Sequence, residues 1–189
     1  MNRLATFFLL CFALPLKGFA KGPPFPKDKA CVAWLAKKTM FLMSDQTAIG
    51  INCAIEASVS EKDGHRIQIT IPVNKFNSEE EDRDEEVTEL LGGKVHPKIQ
   101  FTSAPLGTDW QNKVGAGQEL PGELMINGKS FPIKTNYQIS GQLAQGSLVS
   151  TLSAFEIEPP EVAGGVVASV EDYIELHFHI PLAMIKQTP

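Results

Sequence analysis

NSEEEDRDEEVTELLGGKVHPKIQFTS, residues 77–103, is the stretch where the hydrophobic period of the chain changes. Before it, apolar residues alternate with polar ones, as in a strand that packs on one face. Within it, Val87, Leu90 and Leu91 follow helical spacing, and the alternation returns with Ile99 and Phe101. The pattern predicts one short acidic helix, at about residues 79–91, in an otherwise all-β chain.

The expected ends of this helix come from local signals. Ser78 and Glu81 have the spacing of a capping box, in which each side chain accepts a hydrogen bond from the backbone N–H of the other residue. Gly92 and Gly93 end the helix, because glycine adopts the left-handed conformation at no steric cost. The acidic run fits a solvated helix face rather than a calcium site, since it lacks the ligand pattern and central glycine of an EF-hand loop.

The N-terminus has the composition of a cleavable signal peptide. Arg3 supplies a positive start, an apolar run follows from Leu4 to Leu16, and Gly18 and Ala20 are the small residues before the expected cleavage after residue 20. The apolar run is shorter than the ~20 residues that span a bilayer, so we expect no stable membrane anchor. We therefore predict export to the periplasm, or secretion as the second choice, with a signal peptide at 1–20, a linker at 21–29 and one domain at 30–189.

Charge and cysteine content narrow the function classes. The chain has 17 basic and 22 acidic residues, and this acidic balance argues against a nucleic-acid partner, because such binding depends on cationic contacts to phosphate. An exported protein can keep disulfides. If the first two strands form a hairpin, Cys31 and Cys53 lie across from each other and can be bridged. The alternative is two small buried apolar residues, and the sequence leaves both open.

The remaining pattern is that of strands joined by turns. Residues 65–76 alternate apolar and polar side chains, and residues 48–59 predict one long strand. Asn127-Gly128 between two alternating runs is the strongest local signal for a hairpin. Residues 141–146 predict a further turn. About eight strands with one helix predict an antiparallel β-barrel.

Several short motifs follow one another along the chain: Val32-x-Trp34 with Lys37 and Lys38, Gly50, Arg83-Asp84-Glu85, Leu90-Leu91, His96-Pro97 through Ser103, Gly122-x-Leu124-x-Ile126-x-Gly128-Lys129, Phe155-x-Ile157 and Val170-x-Asp172. In order and spacing they resemble the YceI-like family of bacterial periplasmic proteins across nearly the whole mature chain. The chain departs from the family pattern at Ser44-Asp45-Gln46, at Glu86-Val87, and at His96, where many members have tyrosine. These departures leave the contact to a ligand head group undefined.

The resemblance implies an extended lipocalin-like barrel whose apolar interior holds a polyisoprenoid or similar long-chain lipid, with no cofactor and no catalysis. Alternation and size select the lining candidates: Trp34, Leu35, Ile55, Ile69, Ile71, Phe101, Leu124, Phe131, Phe155, Leu176 and Phe178. An apolar loop and the apolar side of the helix are the lid candidates: Met40, Phe41, Leu42, Met43, Val87, Leu90 and Leu91.

Two other functions compete with lipid binding. Glu175, His177 and His179 alternate on one face of the last predicted strand, residues 170–182, and such a set can bind zinc in a metal-binding protein or metal-dependent enzyme. The simpler interpretation is a solvated outer face. A structural or interaction module with a filled barrel would show the same apolar period. The sequence leaves the oligomeric state open, a dimer included.

Overall fold

A computed structural model describes residues 22–40, 46–61, 64–107, 118–162 and 168–188. The predictions for the signal peptide and for Phe41, Leu42 and Met43 lie outside these ranges, as does the side chain of Met40. Within the described ranges, no helix has the length and apolar character that a membrane crossing requires.

The described residues form eleven strands and one α-helix. Their bounds are β1 Cys31–Met40, β2 Gln46–Asn52, β3 Glu56–Ser60, β4 Arg66–Pro72, α1 Glu81–Leu90, β5 Lys98–Ser103, β6 Gln118–Ile126, β7 Lys129–Ser140, β8 Leu143–Ser150, β9 Glu161–Val162, β10 Ala168–Pro181 and β11 Lys186–Thr188.

The strands form one curled sheet. Its order is β11-β3-β4-β5-β6-β7-β8-β10-β1-β2, and β9 pairs with one end of β10. All neighbours are antiparallel except β11, which runs parallel to β3. The all-β, lipocalin-like fold class predicted from the sequence is confirmed, with eleven described strands instead of about eight.

A bend in the chain brings the two ends of the sheet together. β2 ends the strand order and β3 is next to its other end, yet only residues 53–55 separate the two strands in the chain. The buried Asn52 holds the bend, because its Nδ2 donates to the Pro72 carbonyl at 2.8 Å and its Oδ1 accepts from the Ala54 N–H at 2.9 Å. The predicted single strand at 48–59 is therefore wrong, since it bends and pairs with β1 on one side and β4 on the other.

A disulfide lies at the same corner. Cys31 begins β1 and Cys53 follows β2, and their sulfurs are bonded with a Cα–Cα distance of 4.1 Å. The antiparallel register Val32↔Asn52 sets this distance, because it places the residue before Val32 opposite the residue after Asn52. Of the two alternatives that the sequence left open, the structure has the bridge.

The helix α1 is present with a different N-terminal arrangement. The Glu81 carboxylate accepts no hydrogen bond from the Ser78 N–H, so the predicted capping box is wrong. Asp84 instead accepts hydrogen bonds from the Ser78 N–H at 2.9 Å and the Ser78 hydroxyl at 2.6 Å. At the other end, Gly92 has a φ of +66° and its N–H donates to the Glu89 carbonyl, as expected for a glycine that ends a helix.

The two predicted glycine turns have different outcomes. Asn127 and Gly128 connect β6 and β7 with φ values of 49° and 74°, as the hairpin prediction requires. At residues 141–146, only the first two residues turn, and β8 begins at Leu143. Gly146 is therefore a strand residue, paired with Tyr137 and Phe178.

Candidate ligand-binding cavity

The inner face of the curled sheet and one side of α1 enclose a cavity of about 390 Å³. Its walls come from strands β1, β2, β4 to β8 and β10, because residues two apart on each strand point to the same face. The apolar residues that border it are Val32, Ala33, Trp34, Ala36, Ala48, Ile69, Ile71, Phe76, Val87, Leu90, Leu91, Ile99, Phe101, Leu124, Ile126, Ile133, Leu148, Leu152, Phe155, Ile157, Pro160, Val170, Ile174, Leu176 and Phe178.

Most of the predicted lining residues border this cavity: Trp34, Ile69, Ile71, Phe101, Leu124, Phe155, Leu176 and Phe178. Three do not. Leu35 neighbours Trp34 on β1 and points to the other face, Ile55 lies in the bend between β2 and β3, and Phe131 packs edge-on against Phe155 with ring centroids 5.6 Å apart.

Of the lid candidates, the three on or beside α1 border the cavity: Val87, Leu90 and Leu91. All three are half-buried, because their side chains face the sheet while the other side of the helix is solvated. The structure brings these residues to the cavity, and a lid function remains a proposal.

Sequence reasoning missed the small residues of the wall. Ala36 and Ala48 are directly paired between β1 and β2, and both border the cavity. Gly50 is paired with Trp34 two residues further on. Alternation identifies this inner face, but the selection by size excluded its small members, although small wall residues are what leave space for a ligand.

Three aromatic rings of the wall lie against glycines. A Cβ built on Gly50 would come within 2.4 Å of the Trp34 indole, one on Gly122 within 2.5 Å of the Phe101 ring, and one on Gly146 within 2.6 Å of the Phe178 ring. The missing side chains let these rings lie close to the backbone of the neighbouring strand. The rings therefore occupy less of the interior than they would beside larger residues.

Charged residues at one end of the cavity indicate its mouth. Glu80, Asp82 and Glu86 of the α1 region are exposed and border the cavity. Arg83, which also borders it, is held by Glu80 at 2.8 Å and by the Ser78 hydroxyl at 2.9 Å. These contacts fix the first turn of α1 beside the opening. Lys37 and Lys38 of β1 also border the cavity.

A smaller cavity of about 90 Å³ adjoins the main one. It shares Ile69, Phe101, Thr135 and Phe178 with the main cavity. These four residues form a partition between the two spaces. Tyr137 also borders the smaller cavity, and burial raises the pKa of its phenol.

The predicted metal set lies on β10, where Glu175 and His177 are half-buried and His179 is buried, and His177 also borders the main cavity. His177 contacts Glu175 at 2.9 Å, whereas the buried His179 packs on Phe25 with ring centroids 5.5 Å apart. Burial acts to raise the pKa of Glu175, but hydrogen bonds from Tyr173 and His177 outweigh it and lower that pKa. Among the described residues, no group of three potential ligands could hold a metal ion. The set is therefore less exposed than the expected solvated face, because Phe25 of the segment before β1 packs on His179.

A curled, mainly antiparallel sheet around an apolar cavity is the architecture of barrels whose interior is large enough for one small ligand. The sequence profile of the YceI-like domain matches residues 36–182. The chain belongs to the YceI-like family. No curated protein matches it in sequence.

Solved structures share this fold at low sequence identity. BcnA of Burkholderia cenocepacia is 20% identical, with a TM-score of 0.56, and the match covers 78% of this chain and 94% of BcnA. A polyisoprenoid-binding domain from Saccharophagus degradans, implicated in plant cell wall breakdown, is 12% identical, with a TM-score of 0.54 and coverage of 80% and 96%. The YceI protein of Campylobacter jejuni is 14% identical, with a TM-score of 0.50 and coverage of 94% and 96%. At these identities the matches show a common fold.

Proposed function

We propose that this chain is an exported, periplasmic lipid-binding protein that holds a polyisoprenoid or similar long apolar chain in its interior and performs no chemistry on it. The observation that carries the proposal is the apolar cavity of about 390 Å³ inside the curled sheet. Its size falls in the range of roughly 300–1,000 Å³ that small-molecule sites occupy.

The cavity can supply affinity without specific polar contacts. Burial of each CH₂ group contributes about 0.8 kcal/mol, so ten such groups contribute about 8 kcal/mol before the cost of association. A long chain needs little more than a dry wall of matching width, which agrees with the mainly apolar lining.

Two further observations support the proposal. One structural neighbour is itself a polyisoprenoid-binding domain. The disulfide between Cys31 and Cys53 fits an oxidising compartment such as the periplasm. Intact mass measurement of protein from a periplasmic extract tests export, with loss of residues 1–20 as the expected result.

The decisive experiment is to purify the protein from periplasm without detergent, extract it with organic solvent and identify the extract by mass spectrometry. The expected result is a long-chain lipid in near-stoichiometric amount, displaced by a fluorescent apolar probe. An extract without lipid, together with no competitive probe binding, would sink the proposal. It would instead favour a structural module.

A further inference from the structure

Trp34 and Gly50 form a directly opposed pair at the wall of the cavity. Trp34 lies on β1 and Gly50 on β2, and the register places them across from each other on the inner face. Trp34 is only 7% exposed. A Cβ on residue 50 would lie 2.4 Å from both Cε2 and Nε1 of the indole. The ring therefore occupies the place that a side chain at position 50 would take.

The surrounding wall is built from small residues. Ala36 and Ala48 are opposed on the same two strands and border the cavity next to the Trp34–Gly50 pair. With the indole drawn against the backbone of Gly50, this wall lies further back from the ligand space than a wall of larger side chains would. The position of the ring thus sets the local width of the cavity.

A methyl group at position 50 would change that width by a definable amount. Ordinary van der Waals contact begins at 3.4 Å, so the indole would have to move by about 1 Å to relieve a contact of 2.4 Å. Trp34 borders the cavity, and the three nearest atoms to the added Cβ all belong to its ring, so a displaced indole would take space from the cavity. A methyl branch projects from a carbon chain by one C–C bond, about 1.5 Å. The displacement of the indole is therefore comparable with the projection of a methyl branch.

We propose that Gly50, by seating Trp34 against the wall, makes the cavity wide enough for a methyl-branched, isoprenoid-type chain and so selects branched chains over linear ones. This inference rests on the proposed function and specifies the chain type that the cavity accepts. Linear chains enter the same cavity but leave unfilled space beside Trp34, and therefore bind less tightly.

Gly50 gives a cleaner test than the two other glycines under rings. A Cβ on Gly122 would also meet the Thr102 carbonyl at 2.6 Å, and one on Gly146 the Asn136 carbonyl at 2.2 Å. Substitution there would disturb the sheet itself. At Gly50 the three nearest atoms all belong to the movable indole.

The test compares phytanol with hexadecanol, which has the same main-chain length and hydroxyl head but no methyl branches. Each alcohol displaces a fluorescent apolar probe from delipidated protein. In Gly50→Ala we expect the affinity ratio of phytanol to hexadecanol to fall about tenfold, because overpacking penalises the wider chain. Gly22→Ala is the matched control, since Gly22 is exposed and its nearest side-chain neighbour lies 4.0 Å away.

A second variant removes the obstruction that the first creates. Adding Trp34→Phe to Gly50→Ala gives a smaller ring, and we expect the ratio to return towards its original value. If Gly50→Ala fails to fold, Trp34→Leu alone tests the same idea, with an increased ratio expected. The width inference is wrong if the affinity ratio of phytanol to hexadecanol is unchanged in folded Gly50→Ala. The same holds for Trp34→Leu where that variant is used. Original protein that binds neither alcohol nor the probe overturns the proposed function itself.

Discussion

Tyr173 donates a hydrogen bond to the Glu175 carboxylate on the strand that carries one wall of the cavity. This hydrogen bond, followed by burial and the negative charges of Glu175 and Glu171, raises the pKa of the Tyr173 phenol from 10.0 to about 12. The bond stabilises the neutral phenol, and a nearby carboxylate opposes a second negative charge. We expect Glu175→Gln to lower the pKa of Tyr173 towards 10.0.

Tyrosinate absorbance during an alkaline titration measures this change. The chain has two tyrosines, so the measurement needs a Tyr137→Phe background. Glu171→Gln is the control and should cause a much smaller decrease, since the charge of Glu171 is the weakest of the causes. A Tyr173 that still titrates near 12 after Glu175→Gln would contradict the assignment to the carboxylate.

At the residue scale, the sequence predicted the large inward side chains and missed the small ones. Ile69, Phe101 and Phe178 were found because alternation assigns a face and size marks a buried residue. The composition of residues 141–146 predicts a turn that includes Gly146, although Gly146 lies in β8 against the Phe178 ring. Glycine is required both where a chain turns and where a ring approaches the backbone, and the sequence alone does not distinguish these uses.

At the element scale, the Cys31–Cys53 disulfide links the start of β1 to the bend between β2 and β3. The bridge joins residues 22 positions apart, and a loop of that length predicts a stabilisation of about 3 kcal/mol through the unfolded state. We expect the Cys31→Ser, Cys53→Ser double variant to lose about that much free energy of unfolding. Urea unfolding of the two proteins provides the measurement.

Reduced original protein is the control for this disulfide prediction and should match the double variant. Both should retain the antiparallel pairing of β1 with β2, since Asn52 holds the bend through its own hydrogen bonds. A loss below about 1 kcal/mol, well under the typical range for a disulfide, would mean that these hydrogen bonds already close the corner.

The lid prediction also belongs to the element scale. Leu90 of α1 borders the cavity beside its mouth and packs on the core. We expect Leu90→Asp to raise the ligand dissociation rate before it unfolds the domain, because a carboxylate at this half-buried position loosens the packing of α1 on the sheet. Stopped-flow release of a fluorescent apolar probe reports the rate.

Val95→Asp is the matched control for the lid, because Val95 is 77% exposed and does not border the cavity. It introduces the same aspartate near the same helix without changing the packing of α1. Equal dissociation rates for the original protein and folded Leu90→Asp would exclude a lid function for α1.

Elements with local signals were predictable, and the closure of the sheet was not. Gly92 after α1 and Asn127-Gly128 between β6 and β7 act within a few residues, so their geometry follows from their own conformational preferences. The bend at residues 53–55 depends on Asn52 reaching the Pro72 carbonyl, twenty residues away. Alternation continues through such a bend without interruption, and residues 48–59 therefore read as one strand.

At the scale of the whole molecule, an apolar period fits both an open cavity and a filled core. An open cavity and a filled core respond differently when a larger side chain is introduced. Ala48 is paired with Ala36 and borders the cavity of about 390 Å³. In an open interior, Ala48→Leu fills empty space and should stabilise the ligand-free protein by about 0.5–2 kcal/mol. In a filled interior the same change overpacks the core and destabilises it by about 1–3 kcal/mol.

We expect the stabilising sign, together with weaker lipid binding, because the added side chain takes space from the ligand. Thermal unfolding of delipidated protein and displacement of an apolar probe measure the two effects. Ala54→Leu is the control, since Ala54 is exposed and does not border the cavity. A destabilised Ala48→Leu protein would favour the filled barrel. If Ala48→Leu is instead more stable and binds lipid less tightly, the original protein has less than its attainable stability because it keeps open a space that a ligand occupies.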